Sequence, residues 1–189
     1  MRYLYYYLIA VAVFIVDFVT KKAIATKMAI GDEFSVIGSF FLITSHRNRG
    51  AAFGILQEQR TFFIIITCII VVGLIWYAHS MRRTGKPTLF TGLTLVLGGA
   101  LGNFIDRVRF GEVVDFFKFN FGSYTFPIFN VADSAIVVGV GLILLDTLLV
   151  ARDERRRVQH EEHPASVTEG DRNEQPNEEQ NGHGKQSTV

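Results

Sequence analysis

The sequence predicts an all-α integral membrane protein: a four-transmembrane-helix bundle with a small extracytoplasmic β-structured loop region and a disordered C-terminal tail. Hydrophobic residues make up 49% of the 189 residues, and they occur in long uncharged runs rather than in an alternating pattern. Several of these runs are long enough for a helix, rising about 1.5 Å per residue, to cross a hydrocarbon core. The residues after position 152 are charged and contain few large apolar side chains, so they cannot bury enough surface to fold.

The predicted organisation is one four-span domain, residues 1–151, followed by the tail at residues 152–189. The four predicted spans are residues 3–20, 61–78, 88–105 and 131–150. They are connected by two extracytoplasmic loops, at residues 21–60 and 106–130.

The first span has a second interpretation as a cleaved signal peptide. Arg2 precedes it, and the small residues Ala23 and Ala25 resemble a cleavage site. The charges of Asp17 and Lys21 are unusual before such a site. We therefore favour a retained membrane anchor.

The third span is rich in small residues, which allow helix backbones to approach closely in lipid. It is therefore predicted to lie at the centre of the bundle. Its small residues include Gly92, Gly98, Gly99, Ala100 and Gly102.

The first loop contains two short segments typical of β-strands. Residues 34–37 and 40–44 are rich in β-branched and aromatic side chains and flank Gly38. They predict a small sheet outside the membrane. The second loop is aromatic-rich and is interrupted by Gly111, Gly122 and Pro127.

The net charge and the cysteine count exclude only a few classes of partner and site. The net charge of +1 does not indicate a nucleic-acid partner, and the single cysteine excludes an intramolecular disulfide and a multi-cysteine metal site. The basic link that contains Arg82, Arg83 and Lys86 favours a cytoplasmic position, but the predicted extracytoplasmic loops are basic as well. Counting charges therefore leaves the orientation open.

Two aspartates are the strongest candidates for chemistry. Asp115 lies in the apolar run Val113–Phe117, and Asp133 begins the fourth span. Ionised carboxylates in apolar surroundings must be paired or neutralised, so such acids are candidate functional groups. When two carboxylates lie close together, one keeps a proton while the other is a base, which suits the activation of a water for peptide hydrolysis. Asp115 and Asp133 are therefore predicted to be the catalytic pair of a membrane-embedded aspartic peptidase.

Asn130 and Asp133 also have a purely structural interpretation. Asparagine is a favourable helix N-cap, and an acid three residues later stabilises a helix N-terminus. Asp106 is a lower-ranked candidate for the second acid, since it can instead pair with Arg107 or Arg109 or remain solvated.

Two further pairs are spaced four residues apart, so on a helix each pair shares one face. Asp17 and Lys21 predict a structural ion pair at the end of the first span. Asn103 and Arg107 are placed to hold backbone carbonyls of an extended substrate or to orient a carboxylate, although an arginine there can also extend to lipid headgroups.

Other hydrolytic mechanisms fit less well. The sequence contains no His-Glu-x-x-His zinc pattern. A serine with a lysine base is conceivable from Ser134 or Ser123 with Lys118, but Lys118 among phenylalanines is equally typical of an interfacial anchor. No metal or cofactor is predicted.

Five blocks in the same order resemble the bacterial lipoprotein signal peptidases (signal peptidase II). The resemblance covers roughly residues 1–150 and is carried by Asp17 with Lys21, residues 48–54, residues 99–107, residues 114–116 and residues 129–134.

This resemblance implies an aspartic endopeptidase of the bacterial cytoplasmic membrane, with both termini cytoplasmic and an extracytoplasmic active site. It implies removal of signal peptides from diacylglyceryl-modified prolipoproteins, with these substrates and membrane lipids as partners, no nucleic acid, and a monomer. Asp115 and Asp133 would be catalytic, and Asp17 and Lys21 would give structural support. The implied substrate-binding residues are Asn48, Gly50, Asn103, Arg107 and Asn130.

Two functions other than that of an enzyme also remain open. In one, the chain is a small proton- or ion-coupled transport protein that uses the same acids. In the other, it is an interaction protein whose aspartates only cap helices and form ion pairs.

Overall fold

The computed structural model describes residues 2–50 and 56–162. Each of the four predicted spans falls within one helix. The helices are α1 (Arg2–Lys27), α2 (Arg60–Ser80), α3 (Pro87–Phe110) and α4 (Val131–Glu162). The strands are β1 (Glu33–Ile37), β2 (Phe41–Asn48), β3 (Val113–Phe121) and β4 (Tyr124–Thr125), and a short 3₁₀ turn, Met81–Arg83, follows α2.

The chain divides into two compact units. The first unit, Met1–Leu148, contains the sheet and all residues of the candidate site. The second unit begins at Leu149, and its described part is the continuation of helix α4. This helix extends to Glu162, beyond the predicted end of the fourth span at residue 150, so the first part of the predicted tail is helical. The remainder of the tail lies outside the described residues.

Three segments of the described chain are long and apolar enough to cross a membrane: Arg60–Arg83, Pro87–Phe110 and Val131–Gln159. Helix α1 has 26 residues, and large apolar side chains such as Leu8 and Val11 are exposed on it. Lys21 and Asp17 of the same helix are buried. The fold is thus mostly helical, with three segments that meet the criteria for membrane spans.

Helix α3 lies at the centre, as its small residues predict. A methyl group on Gly98 would lie 2.6 Å from the Ala10 carbonyl oxygen of α1, and one on Gly92 would lie 2.7 Å from the Gly139 carbonyl oxygen of α4. Such distances are shorter than van der Waals contact. Glycine therefore permits α1 and α4 to approach the α3 backbone from two sides.

The four strands form one antiparallel sheet in the order β1-β2-β3-β4. The predicted pair of strands in the first loop is confirmed as β1 and β2. The second loop was predicted only as an aromatic-rich loop, yet it supplies β3, which pairs with β2. Stacked rings of Phe41 and Phe119, with centroids 4.6 Å apart, hold these two strands together.

Candidate active site

Asp115 and Asp133 line one cavity of about 540 Å³. Asn48, Gly50 and Arg107 line it as well. The other walls are mainly apolar and come from the segment before α4 and the first turns of α4. This arrangement of a few polar groups on an apolar wall is typical of a binding site.

Strand pairing brings Asn48 to Asp115. Asp115 lies on β3 opposite His46 of β2, and Asn48 is two residues further along β2, opposite Val113. The Asn48 Nδ2 group donates a hydrogen bond of 2.9 Å to Asp115 Oδ2. Since residues two apart on a strand share a face, this register places both polar side chains on the cavity side of the sheet.

The segment before α4 brings Asn130 to the same carboxylate. The backbone N–H of Phe117 donates to the Phe129 carbonyl oxygen at 2.8 Å, and Phe129 N–H donates back to Phe117 at 3.2 Å. Asn130, the next residue, donates from Nδ2 to Asp115 Oδ1 at 2.6 Å. Both oxygens of Asp115 therefore accept an amide hydrogen bond.

Asp133 is held in the first turn of α4 by a reciprocal cap. Asn130 Oδ1 accepts the backbone N–H of Asp133 at 3.0 Å, and Asp133 Oδ2 accepts the backbone N–H of Asn130 at 3.1 Å. This confirms the capping interpretation of the two residues. Asp133 Oδ1 also accepts a hydrogen bond of 2.7 Å from Asn103 Nδ2 of α3. The residue is therefore a helix cap whose carboxylate also lines the cavity.

The amide of Asn103 is oriented by its own oxygen. Lys21 Nζ donates to Asn103 Oδ1 at 2.7 Å, and Asn130 Nδ2 lies 3.3 Å from the same oxygen. Because both groups are donors, the Asn103 oxygen must face them and its NH₂ group must face Asp133. Asn48 is oriented in the same way, because its Oδ1 accepts the backbone N–H of Gly50 at 2.9 Å.

Lys21 is the centre of a buried polar cluster behind the aspartates. Its ammonium group lies 2.7 Å from Asp17 Oδ2, 2.8 Å from Asp106 Oδ2 and 2.7 Å from Asn103 Oδ1. The ammonium group thus donates a hydrogen bond to the Asn103 amide and forms ion pairs with both carboxylates. The predicted Asp17–Lys21 ion pair is confirmed, and Asp106 pairs with Lys21 rather than with a neighbouring arginine.

Asp17 also connects α1 with α4. Its Oδ1 atom accepts the backbone N–H of Ala132 at 2.8 Å, in the first turn of α4. The first N–H groups of a helix have no partner inside the helix, so a carboxylate there stabilises the helix end. Gly102 makes room for this contact, because a side chain at that position would collide with the Asp17 carboxylate.

Arg107 approaches the cavity from α3. Its Nη2 atom donates to the Gly50 carbonyl oxygen at 3.1 Å, and its guanidinium carbon lies 4.6 Å from the centre of the Phe63 ring. Arg107 thus holds a backbone carbonyl of its own chain, and its predicted role toward a substrate stays a prediction. The contact fixes the chain at the point where it leaves β2.

The environment of Asp115 favours the protonated acid. Burial is the main cause and the charge of Asp133 the second, and together they raise the pKa of Asp115 to about 7. The hydrogen bonds from Asn48 and Asn130 act in the opposite direction, because they stabilise the carboxylate. Asp115 therefore carries a proton over much of the range below neutral pH.

Two alternatives to the Asp115–Asp133 pair, Asp106 as the second acid and a Ser134–Lys118 pair, consist of side chains that interact with other residues. Asp106 does not line the cavity that contains Asp115 and Asp133, and it is buried against Lys21. Lys118 Nζ lies 2.5 Å from Glu33 Oε1 on β1, and Ser134 Oγ donates to the Asn130 carbonyl oxygen at 2.9 Å. The two groups needed for a Ser134–Lys118 mechanism are thus bound to other residues.

The predicted site residues occupy two layers. Asn48, Gly50, Arg107, Asp115 and Asp133 line the cavity, whereas Asn103 and Asn130 are buried and hydrogen-bonded to the carboxylates. Within residues 2–50 and 56–162, no three His, Cys, Asp or Glu side chains are grouped as a metal site would require. Sequence reasoning did not find the contact from Asp17 to Ala132, for which no local pattern exists.

A family model and curated relatives all indicate the same protein family. The family model described as Signal peptidase (SPase) II matches residues 9–149. The chain is 49% identical over 146 residues to a lipoprotein signal peptidase of Bacillus pumilus (strain SAFR-032), covering 77% of this chain and 94% of that protein. It is 53% identical over 143 residues to a lipoprotein signal peptidase of Staphylococcus aureus (strain MRSA252), covering 75% and 86% respectively.

Two solved structures of bacterial membrane enzymes share the fold. The first has a TM-score of 0.70 and 50% identity, and the match covers 77% of this chain and 88% of that one. The second has a TM-score of 0.66 and 51% identity, with coverage of 75% and 90%. These matches do not support the transport reading. The chain belongs to the signal peptidase II family, and it is therefore a membrane protein of a protease family.

Proposed function

We propose that this chain is an aspartic endopeptidase that removes signal peptides from diacylglyceryl-modified prolipoproteins. The observation that carries the proposal is the shared cavity of Asp115 and Asp133, in which every carboxylate oxygen accepts an N–H group. Neutral donors hold both acids in place without forming an ion pair with either. The acids thus remain available to exchange a proton with a bound water.

Asp115 acts as the acid and Asp133 as the base. With its pKa raised to about 7, Asp115 retains the proton that the pair shares. Asp133 accepts a proton from the water as its oxygen attacks the scissile carbonyl carbon, and Asp115 donates its proton toward the carbonyl oxygen. When the tetrahedral intermediate collapses, the C–N bond breaks, the leaving amine takes the proton from Asp133, and one hydroxyl of the intermediate returns a proton to Asp115, which restores the starting protonation of the pair. The products are the signal peptide carboxylate and the lipid-modified cysteine with a free amine.

The residues of the cavity walls support a proposed position for the substrate. Val137 and Val138 line the cavity and are exposed on α4, so the cavity continues onto an apolar helix surface. The signal helix and the acyl chains occupy this lipid-facing side, and only the residues around the cleavage site enter between the acids. Asn48, Gly50 and Arg107 belong to the polar part of the lining and position the peptide backbone.

We place the active site on the extracytoplasmic side, with four spans and both termini in the cytoplasm of a bacterial cell. Helix α1 supplies the fourth span, because its 26 residues at about 1.5 Å each exceed a hydrocarbon core of about 30 Å. The basic residues of the link between α2 and α3 favour this orientation. The protein acts as a monomer surrounded by membrane lipids, without a cofactor.

The direct test is cleavage by the purified chain in lipid. A prolipoprotein that carries diacylglyceryl on its cysteine is expected to be cut immediately before that cysteine, as mass spectrometry of both products shows. The same prolipoprotein without the lipid should be cut much more slowly, because the acyl chains no longer hold it at α4. Equal cutting of both forms would contradict the proposed substrate class, and no cutting of either would contradict the proposed activity.

The rate should depend on pH through Asp115. Since the active pair needs a proton on Asp115, kcat/KM is expected to fall about tenfold per pH unit above about pH 7. Replacing Asn48 by alanine removes a hydrogen bond that lowers the pKa, so the decline should begin at higher pH. A pH–rate profile of the two proteins checks both statements. A decline that starts at the same pH in both would contradict the role given to Asn48.

A covalent serine mechanism would require the Ser134 hydroxyl, whereas the proposed attack by water does not. Because the Ser134 hydroxyl donates to the Asn130 carbonyl oxygen, we expect the Ser134→Ala variant to keep activity within a few-fold. Hydroxylamine added during turnover should give no hydroxamate of the signal peptide, since no acyl-enzyme forms. Mass spectrometry detects the hydroxamate directly, and its appearance would rule out direct attack by water.

A further inference from the structure

A second cavity lies at the end of the bundle opposite the aspartates. It has a volume of about 290 Å³ and lies between the beginning of α1, the end of α2 and the beginning of α3. These helix ends are remote along the chain from the strands, which connect to the other ends of the same helices. None of the residues proposed for peptide cleavage lines this cavity.

The cavity has an apolar floor. Tyr6, Phe90 and Leu93 line it and are buried, and the rings of Tyr6 and Phe90 are 5.3 Å apart. The Thr94 hydroxyl, which also lines the cavity, already donates to backbone oxygens of its own helix. Water needs two to four polar partners to occupy a cavity stably, so this floor favours hydrocarbon.

The rim of the cavity is polar and basic. His79 from the last turn of α2 and Arg82 from the following 3₁₀ turn line it, and both are exposed. The link from Arg82 to α3 is short, and the side chain of Lys86, the N-cap of α3, makes no capping hydrogen bond. The positive end of the α3 dipole therefore lies at the same end of the bundle as Arg82.

We propose that this cavity binds an anionic glycerophospholipid of the membrane. One acyl chain lies on the floor formed by α1 and α3, and the phosphate accepts hydrogen bonds from Arg82 and His79 at the rim. The size of the cavity is near the lower end for small-molecule sites, which suits one chain segment rather than a whole ligand.

The positive charge at the rim disfavours two other occupants of the cavity, a signal peptide and a second copy of this chain. The N-terminal region of a signal peptide is positively charged, so Arg82 repels it. A second copy of this chain would bring its own Arg82 and Arg83 to a contact between like ends, which is also unfavourable. A phosphate headgroup attached to a hydrocarbon chain matches both the basic rim and the apolar floor.

Native mass spectrometry of the whole chain tests this site. The protein is released from nanodiscs that contain either phosphatidylglycerol or phosphatidylcholine, and the lipid that stays bound through delipidation is counted. We expect one retained phosphatidylglycerol and little phosphatidylcholine. Arg82→Gln should weaken retention about fivefold, the effect of one basic side chain near an anionic headgroup.

Two variants separate the cavity from general surface charge. Arg83→Gln removes the same charge one residue away, but Arg83 does not line the cavity, so retention should be unchanged. Ala78→Phe fills the cavity from α2 without changing any charge and should abolish retention. Both positions lie outside the buried core, and thermal melting confirms that each variant is folded.

Three results would overturn the proposal. One is an equal loss of lipid in Arg83→Gln and Arg82→Gln, which would indicate only a charged surface. Another is retention that persists in folded Ala78→Phe, which would place the lipid elsewhere. The third is displacement of the lipid by a synthetic signal peptide, which would assign the cavity to the peptide.

Discussion

The Asp115→Asn variant is expected to lower kcat for prolipoprotein cleavage by about 10²- to 10⁴-fold while the protein remains folded. Asparagine can accept a hydrogen bond but can neither donate an acidic proton nor accept one from water. Asp133→Asn should have a comparable effect, and the double variant should lose little more than either single one, because residues that act as a unit are not additive. Product formation measured by mass spectrometry at saturating substrate gives these ratios.

Stability distinguishes this loss from misfolding. The folded-state pKa of Asp115 is raised, so the wild-type protein loses stability as the pH rises from the ordinary value of 3.8 to about 7. Asparagine cannot ionise, so the melting temperature of Asp115→Asn should improve relative to wild type between pH 5 and pH 8. Asp153→Asn, which changes an exposed acid of α4, serves as the control and should retain activity. Full cleavage by folded Asp115→Asn would end the proposal of a catalytic pair.

Lys21→Met is expected to destabilise the protein by about 3–5 kcal/mol, because it leaves two buried carboxylates without their cation. Activity should fall as well, since the Asn103 amide loses the donor that orients it toward Asp133. Lys22→Met removes the same charge from the adjacent, exposed position and should change stability by less than about 0.5 kcal/mol. Unfolding followed in mixed detergent–lipid micelles gives both values.

A rescue variant checks the reason for this loss. Adding Asp17→Asn and Asp106→Asn to Lys21→Met removes the two uncompensated charges, so a substantial part of the lost stability should return. If Lys21→Met and Lys22→Met were equally mild, the buried cluster would have no special role. If the triple variant were no better than Lys21→Met, loss of packing rather than charge would explain the effect.

The sequence predicts the helices well because their signal is local. Long apolar runs locate all four helices, and the glycines of α3 correctly predict a central helix. The apolar neighbours of Asp115 also identify it as an unusual acid. In each case the pattern lies within a short stretch of chain, where hydrophobicity and residue size are sufficient.

Long-range contacts could not be predicted in the same way. Residues 117–121 alternate phenylalanine with a polar residue, which is a strand pattern that the prediction of a loop did not use. The pairing with β2 could not be predicted in this way, because it depends on a partner distant in sequence. For Asp106 the nearest basic residues along the chain, Arg107 and Arg109, are the wrong partners. The actual partner, Lys21, belongs to another helix and is selected by the packing of α1 on α3.

In the proposed four-span arrangement, the ion pair within α1 bears on how the protein enters its membrane. Asp17 and Lys21 are one helical turn apart, so α1 carries its own counter-ion before any other helix exists. A helix that inserts alone would therefore present a nearly neutral pair to the bilayer instead of an isolated charge. Asn103 and Asp106 reach Lys21 only when α3 has been made, and Ala132 reaches Asp17 only with α4. The complete buried cluster thus forms only when α4 is present. During synthesis, Asp115 and Asp133 can likewise come together only after α4 has been added to the chain.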